Sequence, residues 1–236
     1  MAETARLKLP LVQAAQAQKH VTVNEALLRV DALAQPVIAS RSVAVPPPLA
    51  ADGALYAVPS GASGAWGGQE GRLALWLNGG WEFADPAAGW RAWIVDEAAA
   101  ALHDGTDWAA SAIAASPGGA AFALRVIELD HALGAGGSSA TLPAIPEGAV
   151  VFGVAGRVLA GLGGTATGFA VGVAGAADRY GSGIGTGTGA WFRGVTGTPV
   201  AYYADTAVVF TAEGGDFGGG TVRLAIHVAE LGVPRA

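Results

Sequence analysis

The chain has 236 residues, enough for one large or two small domains, each with a real core, and sets 13 Lys and Arg against 19 Asp and Glu for a formal net charge of -6. That acidic balance excludes the basic face needed to neutralise nucleic-acid phosphates. Without cysteine there is no disulfide framework and no thiolate metal site, and His20, His103, His131 and His227 are scattered, so neither metal nor cofactor is expected.

The opening MAETARLKLP lacks the apolar core of a secretory signal, which predicts a chain that stays in the cytoplasm where it is made. Residues 13–19 are good helix formers with mostly alanine as an apolar face. Thr22 and Glu25 fit a capping box, and Leu27, Val30 and Leu33 or Ala34 follow at helical spacing, so a helix is predicted over 23–34, ended by Pro36. Short β segments come next, at 37–40, 54–58, 72–77, 81–84 and 90–95, with 96–102 readable as a helical turn or a strand rim. Asn78-Gly79 is the strongest hairpin signal, because a type I′ turn needs two residues that accept positive φ. It places Trp76 opposite Trp81.

Composition then changes. Six of the seven tryptophans precede residue 110, and 27 of the 37 glycines lie from residue 118 onward, so a boundary is placed at SPGGA, 116–120. Eight strands are predicted beyond it, at 122–128, 149–154, 158–162, 168–173, 189–193, 200–204, 207–212 and 222–228. The resulting expectation is a mainly β protein: a helical arm at 1–36, a small Trp-rich β domain at 37–117 with its tryptophans as core, and a Gly-rich antiparallel β-sandwich of jelly-roll type at 118–236. Residues 158–177 carry no charge, yet their glycines and the Gly163-Gly164-Thr165 break read as strand, turn, strand rather than a membrane span.

Catalytic patterns are weak. RYGSGIGTGTG at 179–189 lacks the following helix and Gly-Lys-Ser/Thr end of a phosphate loop; its period-two glycines predict a strand with one face of bare backbone. The serines of SGASG and GSG lack the strand–turn–helix frame of a nucleophile elbow. Glu128 with Asp130, Asp178, Asp205, and Glu213 with Asp216 supply carboxylates, but nothing in the sequence selects the converging pair a glycosidase needs, and solvated turns are the plainer reading. DGTDW at 104–108 reads as a turn that could ligate calcium, yet it lacks the ligand-dense pattern of a known calcium loop. The chain is therefore expected not to be an enzyme. Rings interleaved with polar groups suit a sugar platform instead: Asp178, Arg179 and Tyr180, with Trp191, Arg193, Tyr202 and Tyr203, are the candidate carbohydrate-binding residues. The competing reading makes Trp191 and one ring of each alternating pair part of the core.

Two stretches carry a resemblance. LPLVQAAQAQKHVTVNEALLRVDAL and GAWGGQEGRLALWLNGGWEFADPAAG together resemble a family of uncharacterised phage tail-fibre-like and gene transfer agent proteins from alphaproteobacteria. The matching positions are Leu9, Pro10, Gln18, Lys19, His20, Asn24, Glu25, Ala26 and Asp31, then Trp66, Trp76, Gly79, Gly80, Trp81 and Pro86, and the likeness covers about residues 7 to 110. GVAGRVLAG and DRYGSGIGTGTG are similar to the extension that often follows this domain in the same particles. The resemblance implies a virion subunit, most like the head spike of a gene transfer agent, assembled in the bacterial cytoplasm with copies of itself and with capsid or other spike and fibre proteins. It also implies contact with cell-surface polysaccharide, and it supplies no catalytic residues. A polysaccharide depolymerase and a purely architectural connector are the alternatives.

Within that reading the polar helix is suited to lie on neighbouring chains, since a helix with a thin apolar stripe depends on the surface that holds it. Gln13, Gln16, Gln18, Lys19, His20 and Asn24 are the candidate assembly-interface residues, able to hydrogen-bond across a wet interface. The competing reading packs the helix on its own domain through Leu27, Val30 and Leu33.

Overall fold

The computed structural model describes residues 3–12 and 19–236, with the backbone alone at Lys19 and His20. The chain forms two compact units, Met1–Ala121 with Val233–Ala236, and Phe122–Gly232. The first contains helix α1 (Lys19–Leu33), then β1 (Val37–Ile38), β2 (Leu55–Ala57), β3 (Leu73–Leu77), β4 (Gly80–Ala84), β5 (Arg91–Ile94), β6 (Ala99–His103), β7 (Trp108–Ala110) and β8 (Ala112–Ala115). Seven of these strands form one sheet in the order β4-β3-β2-β1-β5-β6-β7. The short β1 runs parallel to β2 and β5, while the remaining pairs are antiparallel.

Period-two alternation gives this sheet two apolar faces. Leu55, Leu73, Leu75 and Ile94 meet the helix on one, through Leu28, Ala32 and Leu33. Tyr56, Ala74, Trp81 and Phe83 gather around buried Trp66 on the other. The predicted helix therefore exists, with two corrections. It runs through Thr22 and Glu25, so that pair lies inside the helix rather than capping it. Its packed stripe is Leu28, Ala32 and Leu33, and Val30 is 51% exposed. The apolar residues permit either face; the sheet selects the one that meets Ile38 and Leu55.

The segment before the helix is tied to it. Asp31 is buried, and its carboxylate accepts hydrogen bonds from Thr4 Oγ1 at 2.7 Å, from the Arg6 amide at 2.9 Å and from the Leu7 amide. Burial pushes the pKa of Asp31 up, but these donors outweigh it and hold the group below the usual carboxylate value. The Arg6 guanidinium donates at 3.0 Å to the carbonyl of Ala32, an acceptor that the helix C-terminus leaves without a partner, and at 2.6 Å to that of Gln35 just beyond it.

The predicted hairpin is present: Asn78 and Gly79 have φ of 51° and 82°, Trp76 pairs with Trp81, and the two rings lie 4.9 Å apart. Of the expected tryptophan core, Trp66 and Trp108 are buried and Trp76, Trp81 and Trp90 half-buried. Trp93 faces out, because β5 turns Ala92 and Ile94 inward.

The second unit has eight strands: β9 (Ala121–Ala132), β10 (Ser138–Ile145), β11 (Val150–Ala160), β12 (Gly168–Val173), β13 (Ala176–Ile184), β14 (Trp191–Ala201), β15 (Thr206–Glu213) and β16 (Thr221–Leu231). They form two antiparallel sheets, ordered β14-β11-β16-β9 and β10-β15-β12-β13. Consecutive strands cross between the sheets, except β12 and β13, which pair within one, in the two-Greek-key order of a jelly roll. Val151, Val154, Val158, Phe169, Val171, Phe210, Leu224 and Ile226 fill the space between them.

The strand bounds differ from expectation in an informative way. Segments expected at 149–154 and 158–162 are one strand, β11, and those at 189–193 and 200–204 are one strand, β14. Glycines in the gaps between the expected segments are packing positions within these strands. A Cβ on Gly156 would lie 2.5 Å from the Phe192 ring, and one on Gly194 would collide with the carbonyl of Tyr180. The glycine run at 179–189, expected as a strand with one bare face, is strand only as far as Ile184. Gly181, Gly183 and Gly189 take positive φ, and the run leaves β13 after Ile184 for the turn before β14. Residues 158–177 are strand, turn and strand, and among the described residues no helix is long and apolar enough to cross a membrane.

Candidate functional site

The outer face of the sheet β14-β11-β16-β9 carries side chains the core does not use. Register sets two rows across it. Trp191, Arg157, Arg223 and Asp130 stand opposite one another from strand to strand, and the next row is Arg193, Ala155, Ala225 and Glu128. With strands ~4.8 Å apart, the two central alanines leave a trough between long side chains. The result is an open groove of about 520 Å³.

Charge in the groove is unevenly matched. Arg223 donates to both oxygens of Asp130, at 2.6 and 2.8 Å, and lies 3.8 Å from Glu128. This bidentate hydrogen bond holds Asp130 below the usual carboxylate range and raises Arg223. Arg157 uses Nη1 alone, on the Gly189 carbonyl at 3.2 Å. Arg193 makes no hydrogen bond or ion pair among the described residues. Trp191 is 62% exposed, whereas inward-facing Phe192 beside it is buried.

The sequence-based sugar set is thus divided. Trp191 and Arg193 come together at the groove. Tyr180 and Tyr202 are corrections: they are 1% and 8% exposed, and their hydroxyls meet at 2.6 Å inside the sandwich. Tyr180 enters the core from β13 and Tyr202 from just past the end of β14, so neither ring offers a face to a ligand. Tyr203 is 87% exposed but lies past the far end of β14 from Trp191, on the order of 35 Å away by strand rise. Asp178 and Arg179 are exposed on β13, in the opposite sheet. Arg157 and Arg223 were missed. Their signal was present in the Arg157-Val158 and Val222-Arg223-Leu224 alternation, which sends valine or leucine inward and arginine out.

Comparison with known proteins adds a partial match. Residues 23–109 match a family described as a protein of unknown function, DUF2793. The match lies in the first unit, from α1 to β7, within the stretch that carries the resemblance to tail-fibre-like proteins. No curated protein matches the chain. Among solved structures, the chain is similar to a chain of the "Cyanophage Pam1 capsid asymmetric unit", 25% identical, with 45% of this chain and 84% of that chain covered and a TM-score of 0.37.

Of the expected assembly set, Gln13, Gln16 and Gln18 lie outside the described residues, and the side chains of Lys19 and His20 are likewise not described. Asn24 is placed: its Oδ1 accepts from the Val12 amide at 2.8 Å and its Nδ2 donates to the Val12 carbonyl at 3.1 Å. It therefore fastens the preceding segment of its own chain. The DGTDW turn is also internally engaged, since Asp104 accepts from the Thr106 and Asp107 amides and pairs with Arg235. No group of three or more acidic, His or Cys side chains suited to a metal occurs among the described residues.

Proposed function

We propose that this chain is a structural subunit of a phage-like particle, a head spike or fibre of the gene transfer agent kind, whose jelly roll presents a groove to host cell-surface polysaccharide. The observation that carries the binding part is Trp191. A large aromatic left in water on a sheet face, with guanidinium groups beside it, matches the way flat rings stack on sugars while polar groups read hydroxyls. Jelly rolls serve in both capsid and lectin domains. The virion setting rests on the resemblance carried by the N-terminal helix and Trp-rich segment. Copies of one subunit displayed on a particle multiply weak contacts through effective concentration, so a single site of millimolar affinity suffices.

The reading requires no catalysis. Asp130 and Glu128 flank Arg223, and the depressed Asp130 is the reverse of a glycosidase's acid, whose pKa is raised. The test is adsorption of the purified protein, in its native oligomer, to capsular polysaccharides. Trp191→Ala should weaken it about tenfold per site. Unchanged adsorption would remove the groove as the site, and new reducing ends after incubation would convert the binder into a depolymerase.

A further inference from the structure

The groove's unmatched charge says which polysaccharide fits. We infer that it selects a carboxylated sugar, the ring lying on Trp191 and the carboxylate held between Arg193 and Arg157; this rests on the polysaccharide reading above. The chain as a whole is acidic, with a net charge of -6, yet three arginines line this one groove. Only Arg223 is neutralised there, by Asp130 and Glu128.

Arg157 stands directly opposite Trp191, and Arg193 is two residues along β14 on the same face. Arg157 and Arg193 are thus diagonal neighbours across β11 and β14, with Cα atoms ~7–8 Å apart, a spacing from which two long side chains reach a single anion. Among the described residues the Arg193 guanidinium has no partner and Arg157 engages only the Gly189 carbonyl, so neither charge is met by a carboxylate. Two guanidiniums held side by side without a counter-anion repel each other, and a planar carboxylate answers both with paired hydrogen bonds. The half-buried alanines 155 and 225 leave the trough floor clear for the ring that carries it. A neutral sugar would stack on Trp191 equally well but leave the two charges unanswered.

The experiment screens the full-length protein and its Arg193→Gln variant against a panel of neutral and uronate-containing capsular polysaccharides. It then titrates a monovalent oligosaccharide from each hit beside its carboxyl-reduced counterpart. The Arg193 side chain makes no hydrogen bond or ion pair among the described residues, so the variant should unfold like the parent. Carboxyl reduction should lower affinity about tenfold to a hundredfold, the range for charge-assisted hydrogen bonds. Arg193→Gln should cost part of that on the acidic ligand, Arg157 keeping the rest, and nothing further on the reduced one, while Arg193→Lys, which keeps charge but loses the fork, should cost less than Arg193→Gln. Neutral hits bound through Trp191, or equal affinity for acidic and reduced forms, would overturn the inference and leave polysaccharide binding standing. No hit in the panel would overturn both.

Discussion

The hydroxyls of Tyr180 and Tyr202 make one hydrogen bond, to each other, and that pairing can be tested by removing them singly and together. Either Phe substitution keeps the ring in the core but strands the partner's buried hydroxyl, which costs about 1–3 kcal/mol. Removing both leaves no orphan, so the double variant should lose less than the sum, with a coupling of about 1–2 kcal/mol. For a unit of this size about 1 kcal/mol is worth ~4 °C in Tm, so each single variant should melt several degrees low and the double variant should recover part of the loss. Urea and thermal unfolding of the full chain measure this, beside polysaccharide binding, which should not change. Burial, and then the bond to Tyr202, push the Tyr180 pKa well above the phenol value of 10.0. Because the folded pKa is the higher one, its stabilisation is complete below about pH 10 and fades as alkali ionises the unfolded chain. Additive costs, or a Tyr180→Phe protein of full stability that no longer binds polysaccharide, would refute the core placement and return Tyr180 to the ligand surface.

Three further outcomes follow from the first unit. The Asp104 side chain is only 2% exposed; burial raises its pKa, but Arg235 and the amides of Asp107 and Thr106 outweigh this and bring it to about 2. Its stabilisation is therefore present above about pH 4 and lost as pH falls through about 2, so Asp104→Asn should cost about 1–2 kcal/mol at pH 7, after discounting the exposed Arg235, and progressively less on acidification. A urea-midpoint difference that stays constant from pH 7 to pH 2 would contradict this. Asp31→Ala removes an acceptor shared by three donors and should cost about 2–4 kcal/mol, with hydrogen exchange at the Arg6 and Leu7 amides accelerating first; exchange unchanged there would show that the segment is held by something else. Gly79→Ala places a side chain at φ 82° and should cost about 1 kcal/mol in the urea midpoint.

Local signals carried the first unit's hairpin. Asn78-Gly79 needs no distant partner to specify its turn, and the Trp76–Trp81 pairing follows from it. Signals that depend on a partner were misread. Gly156 and Gly194 fall in gaps between expected strands, and only the fold shows that Phe192 and the Tyr180 carbonyl occupy the space a side chain would take there. β10 was not foreseen because Pro143 argues against a strand, and the ladder tolerates it through register shifts on either side. β13 was foreseen only in part, through the strand reading of the glycine run at 179–189, which holds as far as Ile184. The groove was half legible: Trp191 and Arg193 share one strand face and can be paired by counting twos, but Arg157 and Arg223 join them through register, which a single strand's pattern does not contain.

The alternation that builds the sandwich also separates folding from recognition. Along β14, Phe192 belongs to the core while Trp191 and Arg193 point away from it. Gly194, next in line, lets the β13 backbone approach at Tyr180, which fixes the strand bearing both outward groups. The inward residues therefore hold the outward ones in register without drawing stability from them. A substitution at Trp191 or Arg193 should leave unfolding unchanged and alter what the particle adheres to, whereas Gly194→Ala, by prising β13 from β14, should damage both together. Loss of binding in the first pair with stability intact is the pattern expected of a surface kept for a ligand.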